Sequence, residues 1–393
     1  MSYDILVIGG GIAGASFAGA MACQGAKVLV CERTPAFSDR VRGEALIPWG
    51  VEEAERLGVH QYLLENCGNV VQWWSTGEVR RDLFATTRAG HGFLDFYHPE
   101  MQQCLLNRAA QAGAKIWRPA EVVEVTPGEV PSAIIRCGDT AHRASARLIV
   151  AADGRGSRMR QISGFSCRRD EPCMEIAGVL HRNLAIAEDT AELVLNPTRQ
   201  ELAIFLPLGE KRYRSYFARR RDRQIRLSGA GDAGIFLRCC IGSGAPAEWF
   251  EAAEAIGPLA SFDGADHWVP HPHRNGIVLI GDAAAASDPT YGCGLALSLR
   301  DARVLRDQLV ADNQWDRAAD AYAEEHDGYY AAIHEVHSWW RRLFFETGPT
   351  AEEMRSRALP KITEDPDRIP DFIGLGPETP RDEATRRRFF GDD

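Results

Sequence analysis

Three glycines at fixed spacing and one acidic side chain carry the first chemistry in this chain. Gly9, Gly11 and Gly14 stand in "GGGIAG", a G-x-G-x-x-G pattern. The first permits a tight turn, the second lets backbone approach a pyrophosphate, and the third lets a helix pack on a strand. Ile12 and Ala13 sit where that helix begins, and its N-terminal N–H groups suit an anion. Glu32, followed by Arg33, closes "KVLVCE", where a carboxylate can hold both hydroxyls of an adenosine ribose. A glutamate there favours a free 2′-hydroxyl, so the site suits FAD or NAD better than NADP. Arg42 follows in "RGEAL", Asp153-Gly154 in "LIVAADGRGSRMR" and Gly281-Asp282 in "GIVLIGDAA". The stretch "GDAAAASDPTYGCGLALSLRD" resembles a linker by composition. Its small residues equally suit a backbone against which something large must lie.

The elements that position these residues follow from periodicity. "DILVIGG" and "KVLVCE" read as buried parallel strands, and "IAGASFAGAMACQG" between them as a helix stopped by Gly25. That is the β-α-β unit a dinucleotide fold requires. Residues 45–60 read as helical with a break at Pro48, and "PEMQQCLLNRAAQAGAKI" as an amphipathic helix opened by Pro99. Residues 172–240, including "RYRSYFARR" and "IFLRCC", read mostly as strands, and "APAEWFEAAEAI" as a short helix. "GIVLIGDA" returns to a buried parallel strand. Helices fill 294–345, and 346–393 is a Pro- and charge-rich tail with little periodicity. The expected fold class is α/β. A Rossmann-like FAD-binding domain of glutathione-reductase type takes 1–70, 99–168 and 270–310. A mostly antiparallel substrate-binding domain takes 71–98 and 169–269, and C-terminal helices with an extended tail take 311–393.

The dinucleotide, Asp-Gly and Gly-Asp motifs occur in the order and separation found in one family. Over roughly residues 3–310 the chain resembles the flavoprotein monooxygenases typified by para-hydroxybenzoate hydroxylase, the group A aromatic hydroxylases. The resemblance implies that Gly9, Gly11, Ala13 and Gly14 face the FAD pyrophosphate and Glu32 the ribose. It also implies that Arg42 is the family's loop arginine, that Asp153 braces the pyrophosphate region, and that Asp282 bonds the ribityl chain. Val123 matches the position whose backbone touches adenine. Pro289, Gly292 and Gly294 match the loop under the flavin, with Leu295 and Ala296 starting a helix aimed at the ring. One departure stands out: the family's usual Arg or Gln at the start of the long helix falls on His98.

The implied reaction is reduction of FAD by NADH or NADPH, then addition of O2 at flavin C4a to give a hydroperoxide. Its distal oxygen passes to an electron-rich, aromatic or polycyclic small molecule by hydroxylation or epoxidation. No second glycine motif chooses between NADH and NADPH. "RYRSYFARR" resembles the hydroxylase strand that carries an arginine and a tyrosine, and alternation puts Arg214 and Tyr216 on one face. An ordinary surface strand with cationic side chains would show the same pattern. Tyr97, Phe205 and Tyr291 are further expected lining residues. Among relatives of this fold, a halogenase should carry a W-x-W-x-I-P segment, which is absent. A two-component flavin epoxidase, or a geranylgeranyl-reductase-like or halogenase-like FAD oxidoreductase, remains the alternative.

Composition narrows the partners. The 393 residues carry a net charge of −10, which argues against nucleic acid or an anionic membrane as the main partner. The 10 cysteines form no C-x-x-C pair and suit buried, reduced thiols. His267, His271 and His273 in "HWVPHPH" match no standard metal spacing, so no metal is expected. The apolar N-terminus lacks a basic leader, and no segment reads as a membrane span. These features predict a cytoplasmic monomer or homodimer acting on a small-molecule substrate with O2.

Overall fold

The computed structural model describes residues 1–77, 79–223 and 226–393. Ser2–Ile8 is buried almost throughout because it lies at the centre of an eight-stranded sheet with helices against it. Val28–Cys31 and Thr140–Ala151 flank it, both parallel to it. Lys115–Trp117 and Ile277–Leu279 extend the parallel set at its two sides. Five parallel strands therefore end along one edge. Gly9, Glu32, Asp153 and the Gly281-Asp282 pair all follow the C-terminal ends of these strands. Motifs far apart in sequence thus converge on the crevice where open α/β sheets bind ligands.

A second sheet stands beside the first. Met174–Arg182, Arg212–Arg220, Glu201–Pro207 and Thr190–Asn196 run antiparallel in that order, and Trp73–Thr76 then joins parallel to Thr190–Asn196. Alternation divides its side chains cleanly. Ala177, Val179, Ala203, Phe205 and Phe217 pack beneath Phe236, Cys240 and Phe250. Ile176, Leu202, Ile204, Leu206, Tyr216 and Ala218 point the other way, toward the first sheet's ligand edge. Phe236 and Cys240 belong to a helix, Ala233–Ser243. "IFLRCC" is therefore helical rather than a strand: a short apolar run carries no period of its own, and here its i,i+4 pair covers a sheet. "APAEWFEAAEAI" yields only a 3-10 turn, Ala247–Phe250, and a two-residue strand.

The helices differ from the sequence reading in two further places. Pro48 starts a helix, Pro48–Arg56, instead of breaking one, since a first-turn proline has no N–H to lose. After Gly294–Ala311 and the 30-residue helix Trp315–Phe344, the tail is not extended. It forms Pro349–Glu364 and Glu383–Phe390. Charge hides the pattern, yet Ala351, Met354 and Ala358 bury one stripe of the former helix. Among the described residues no helix is long and apolar enough to cross a membrane.

Candidate functional site: a dinucleotide cradle open to an apolar compartment

The glycines divide their work. A Cβ on Gly14 would lie 2.1 Å from the Gly9 carbonyl oxygen, so this position seats the helix on its own turn. A Cβ on Gly11 would meet only Gln102 Nε2, at 3.6 Å, and Gly11 lines the cavity. That open face at the N-terminus of Ile12–Cys23 is where a diphosphate fits. Glu32 holds the loop in place: Gly10 N donates to its Oε2 at 2.8 Å, and Thr34 N to its Oε1 at 2.8 Å. Its carboxylate still lines the cavity, beside Arg33.

Cations converge on the same crevice. Arg42 is half-buried, its Nε has no hydrogen-bond partner, and burial followed by repulsion from Arg155 pushes its pKa down. Two guanidiniums facing each other call for an anion, so the residues fit a flavin dinucleotide. Asp282, half-buried and lining the cavity, is pushed up by burial, against Arg155, Arg42 and Arg160. Asp153 accepts from Ser157 Oγ at 2.6 Å and Met159 N at 3.0 Å, which fixes the Asp-Gly turn. Gly281 lies behind the lining, where its N–H donates to Asp301 Oδ2 at 2.7 Å and so orients the Asp282 turn. Asp301 is a positioning residue without a motif to announce it.

Pro289, Tyr291, Gly292, Gly294 and Leu295 line the cavity, and Ala296 packs behind them in the core. Gly292 adopts a left-handed conformation, φ 72°, that turns the chain into Gly294–Ala311. Tyr291 stacks on His337, centroids 4.2 Å apart, and meets Phe372 edge-on.

Five positions differ from the sequence reading. Val123 stands outside the lining, which takes its strand neighbours Glu121 and Val122 instead. His98 lines the cavity, but its Nδ1 donates to Gly43 O at 2.6 Å and burial pushes its pKa down to about 4. A neutral ring with that proton committed leaves Nε2 an acceptor, unsuited to phosphate. Gln102, one turn later on the same helix face, takes the place above Gly11; i,i+4 spacing was the available signal. Phe205 lies on the opposite face of its strand, and Tyr97 stands outside the lining.

The fifth is Arg214. Tyr216 lines the cavity, but Arg214 is fully buried behind it. Its Nη2 donates to Asp39 Oδ1 and Oδ2, both at 2.8 Å, and its Nε lies 3.1 Å from Glu44 Oε1. An unpaired buried guanidinium would be costly, and two carboxylates from the loop after Glu32 neutralise it. The Tyr216 hydroxyl donates to Glu44 Oε2.

The cavity measures about 1800 Å³. Ligand pockets run to about 1,000 Å³, so there is room for a dinucleotide and a second molecule. Beyond the cradle its walls are the aliphatic sheet face and the C-terminal segment, which contributes Trp340, Phe344, Ile369 and Phe372. Arg81 clasps Asp371 through two bonds, of 2.7 and 2.8 Å, and ties that segment to the sheet edge. His271 and His273 meet Asp320 on Trp315–Phe344, with His273 Nδ1 at 2.6 Å, a tie between loop and helix; His267 lies apart.

The FAD binding domain family matches residues 2–332. The chain belongs to this family. The flavoprotein is 30% identical over 169 residues to digeranylgeranylglycerophospholipid reductase of Thermoplasma volcanium, 42% of either chain. It spans 42% of the length of the first curated relatives it matches. To rifampicin monooxygenase of Streptomyces venezuelae it is 24% identical over 353 residues, 85% of this chain and 68% of that one. The solved p-nitrophenol 4-monooxygenase of Pseudomonas putida shares its fold, with TM-score 0.75 at 17% identity, covering 100% of this chain and 97% of the other. The flavoprotein's fold is that of the group A monooxygenases.

Proposed function

We propose that this flavoprotein is an FAD-dependent monooxygenase that takes electrons from NADH or NADPH and places one atom of O2 into an electron-rich small molecule. The observation that carries this reading is the continuity of the dinucleotide cradle with an apolar compartment in one cavity. Bound FAD supplies the redox chemistry: it accepts a hydride and activates oxygen. The chain's own residues bind and orient. Gly11, Gln102 and Arg42 face the diphosphate, Glu32 the ribose, and Asp282 the ribityl chain. The N-terminus of Gly294–Ala311, entered through Pro289 and Gly292, would offer its N–H groups to the ring, where reduction would add negative charge. Ile204, Leu206 and Phe372 exclude water beside it. We place the protein in the cytoplasm, as a monomer or homodimer with no nucleic-acid partner.

Purified protein should be yellow and, in stopped flow, lose flavin absorbance on mixing with NADH or NADPH. Failure to retain or rebind FAD overturns the reading. Reduction only by an added flavin reductase would make it one half of a two-component system. The likeness to a digeranylgeranylglycerophospholipid reductase favours a second reading, saturation of a double bond without oxygen. Incorporation of label from 18O2 into product separates the two.

A further inference from the structure

The loop 270–276 and the helix Trp315–Phe344 meet in a group of side chains that does not line the flavin cavity. His271 Nε2 lies 3.2 Å from Asp320 Oδ1, and His273 Nδ1 lies 2.6 Å from the same oxygen. Two imidazole nitrogens and one carboxylate oxygen therefore converge on one point, all within 4.8 Å of one another. The histidines alone match no standard metal spacing, because the third group arrives from a helix 47 residues further on.

Both histidines are held in place from behind. His273 is buried, and its other ring nitrogen, Nε2, makes no hydrogen bond but faces Asp316 Oδ1 at 3.4 Å. A carboxylate behind the second nitrogen is what fixes tautomer and ring direction in metal-ligating histidines. His271 has φ 54°, and its N–H donates to both oxygens of Asp327 at 3.0 Å, which secures that left-handed backbone. Charge points the same way. Asp316, Asp320 and Asp327 stand on one face of the helix, and among the described residues their ion pairs are with histidines alone. Neutral imidazoles leave that face acidic, and a divalent cation offsets the excess. The side chains of His271 and Asp320 are 44% and 50% exposed, so an ion reaches the point from solvent.

We propose that His271, His273 and Asp320 bind one first-row divalent ion of the zinc class, which clamps the 270–276 loop to Trp315–Phe344. Two imidazoles and one carboxylate suit Zn2+, Co2+ or Ni2+, whereas Mg2+ and Ca2+ take oxygen ligands. Ligand atoms around a tetrahedral ion stand about 3.3 Å apart for bonds of about 2.0–2.1 Å. His271 already has that spacing to Asp320, and the half-exposed Asp320 need withdraw from His273 by only roughly 0.7 Å as the ion enters. Water takes the fourth position. Asp316 and Asp327 are positioning residues. The clamp bears on the cofactor site only through the strand Ile277–Leu279, which pairs with His273–Arg274 and leads into Gly281 and Asp282.

The test uses untagged, flavin-loaded protein freed of metal by a chelator and titrated with Co2+, then with Zn2+. One Co2+ should bind with visible d–d bands and be displaced by one Zn2+, and a large excess of Mg2+ or Ca2+ should displace neither. His271→Asn, which suits the left-handed backbone, and Asp320→Asn should each weaken Zn2+ binding more than tenfold. Asp316→Asn should weaken it about tenfold, the usual effect of removing a carboxylate behind a ligating histidine. Asp312→Asn removes an acid that pairs with Arg317 just before the same helix, and it should change nothing. At Zn2+ near ten times Kd the melting temperature of the parent should rise by about 2 °C, and that of His271→Asn should not move. Absence of one-to-one Co2+ binding, an affinity that survives both ligand variants, an equal loss in Asp312→Asn, or displacement by Ca2+ overturns the proposal.

Discussion

Gly11→Ala separates what the glycine motif does for the fold from what it does for the ligand. Gly11 has φ −71°, open to any L-residue, and its new Cβ would meet only Gln102 Nε2 at 3.6 Å, an ordinary contact. The apoprotein should therefore change by less than about 0.5 kcal/mol, as for a surface site. The methyl would nonetheless stand where the diphosphate approaches the helix N-terminus. Displacing one charge-assisted hydrogen bond costs about 1.5–3 kcal/mol, a Kd weakened roughly 10- to 150-fold. Gly14→Ala is the contrast: its Cβ would fall 2.1 Å from the Gly9 carbonyl oxygen and 3.0 Å from Ala152 Cβ. Overpacking of that kind costs about 1–3 kcal/mol with or without ligand. The assay pairs thermal melts of apoprotein with FAD titration followed by flavin fluorescence. At FAD near 100 times Kd the unaltered protein gains about 2.7 kcal/mol on binding, and Gly11→Ala should gain much less. Apo Gly11→Ala melting with the parent but binding FAD just as tightly would refute a diphosphate over Gly11.

Two further outcomes follow from side chains already described. The raised carboxyl of Glu44 favours the folded state at low pH, and that contribution is lost as pH rises from 4.5 through about 7. Stability measured by urea unfolding should fall across this window by on the order of 3 kcal/mol more in the parent than in Glu44→Gln; equal slopes refute it. Asp371→Asn should loosen the clasp with Arg81, whose side chain is 25% exposed, by about 1 kcal/mol or less. Limited proteolysis should then cut the 366–382 segment faster while leaving the cradle intact, and unchanged cleavage refutes the clasp.

The cradle was legible because each motif is local: a strand end, a glycine turn and a charged residue are read within a few positions. Parallel strands then force these local pieces to one edge. Alternation likewise placed Arg214 and Tyr216 on one face. What alternation could not supply was the loop carrying Asp39 and Glu44, which turns a cation that would face the substrate into a buried ion pair. His98 and Gln102 show the same limit at shorter range, since helix phase decides which reaches Gly11 and a count of positions does not. The tail was least legible. Its apolar partners lie well outside its own stretch, with Phe372 against Tyr291, His337 and Trp340, so it shows no period of its own.

That distance bears on how the protein comes into being. Synthesis completes every cradle residue by Asp301, while the wall formed by Trp340, Ile369 and Phe372 emerges only later. Until then the nascent chain presents Leu202, Ile204 and Leu206 as an uncovered greasy strip. Such a strip is what folding helpers grip. It also means the dinucleotide has a complete seat before any substrate has one, so cofactor capture can precede closure of the compartment it serves.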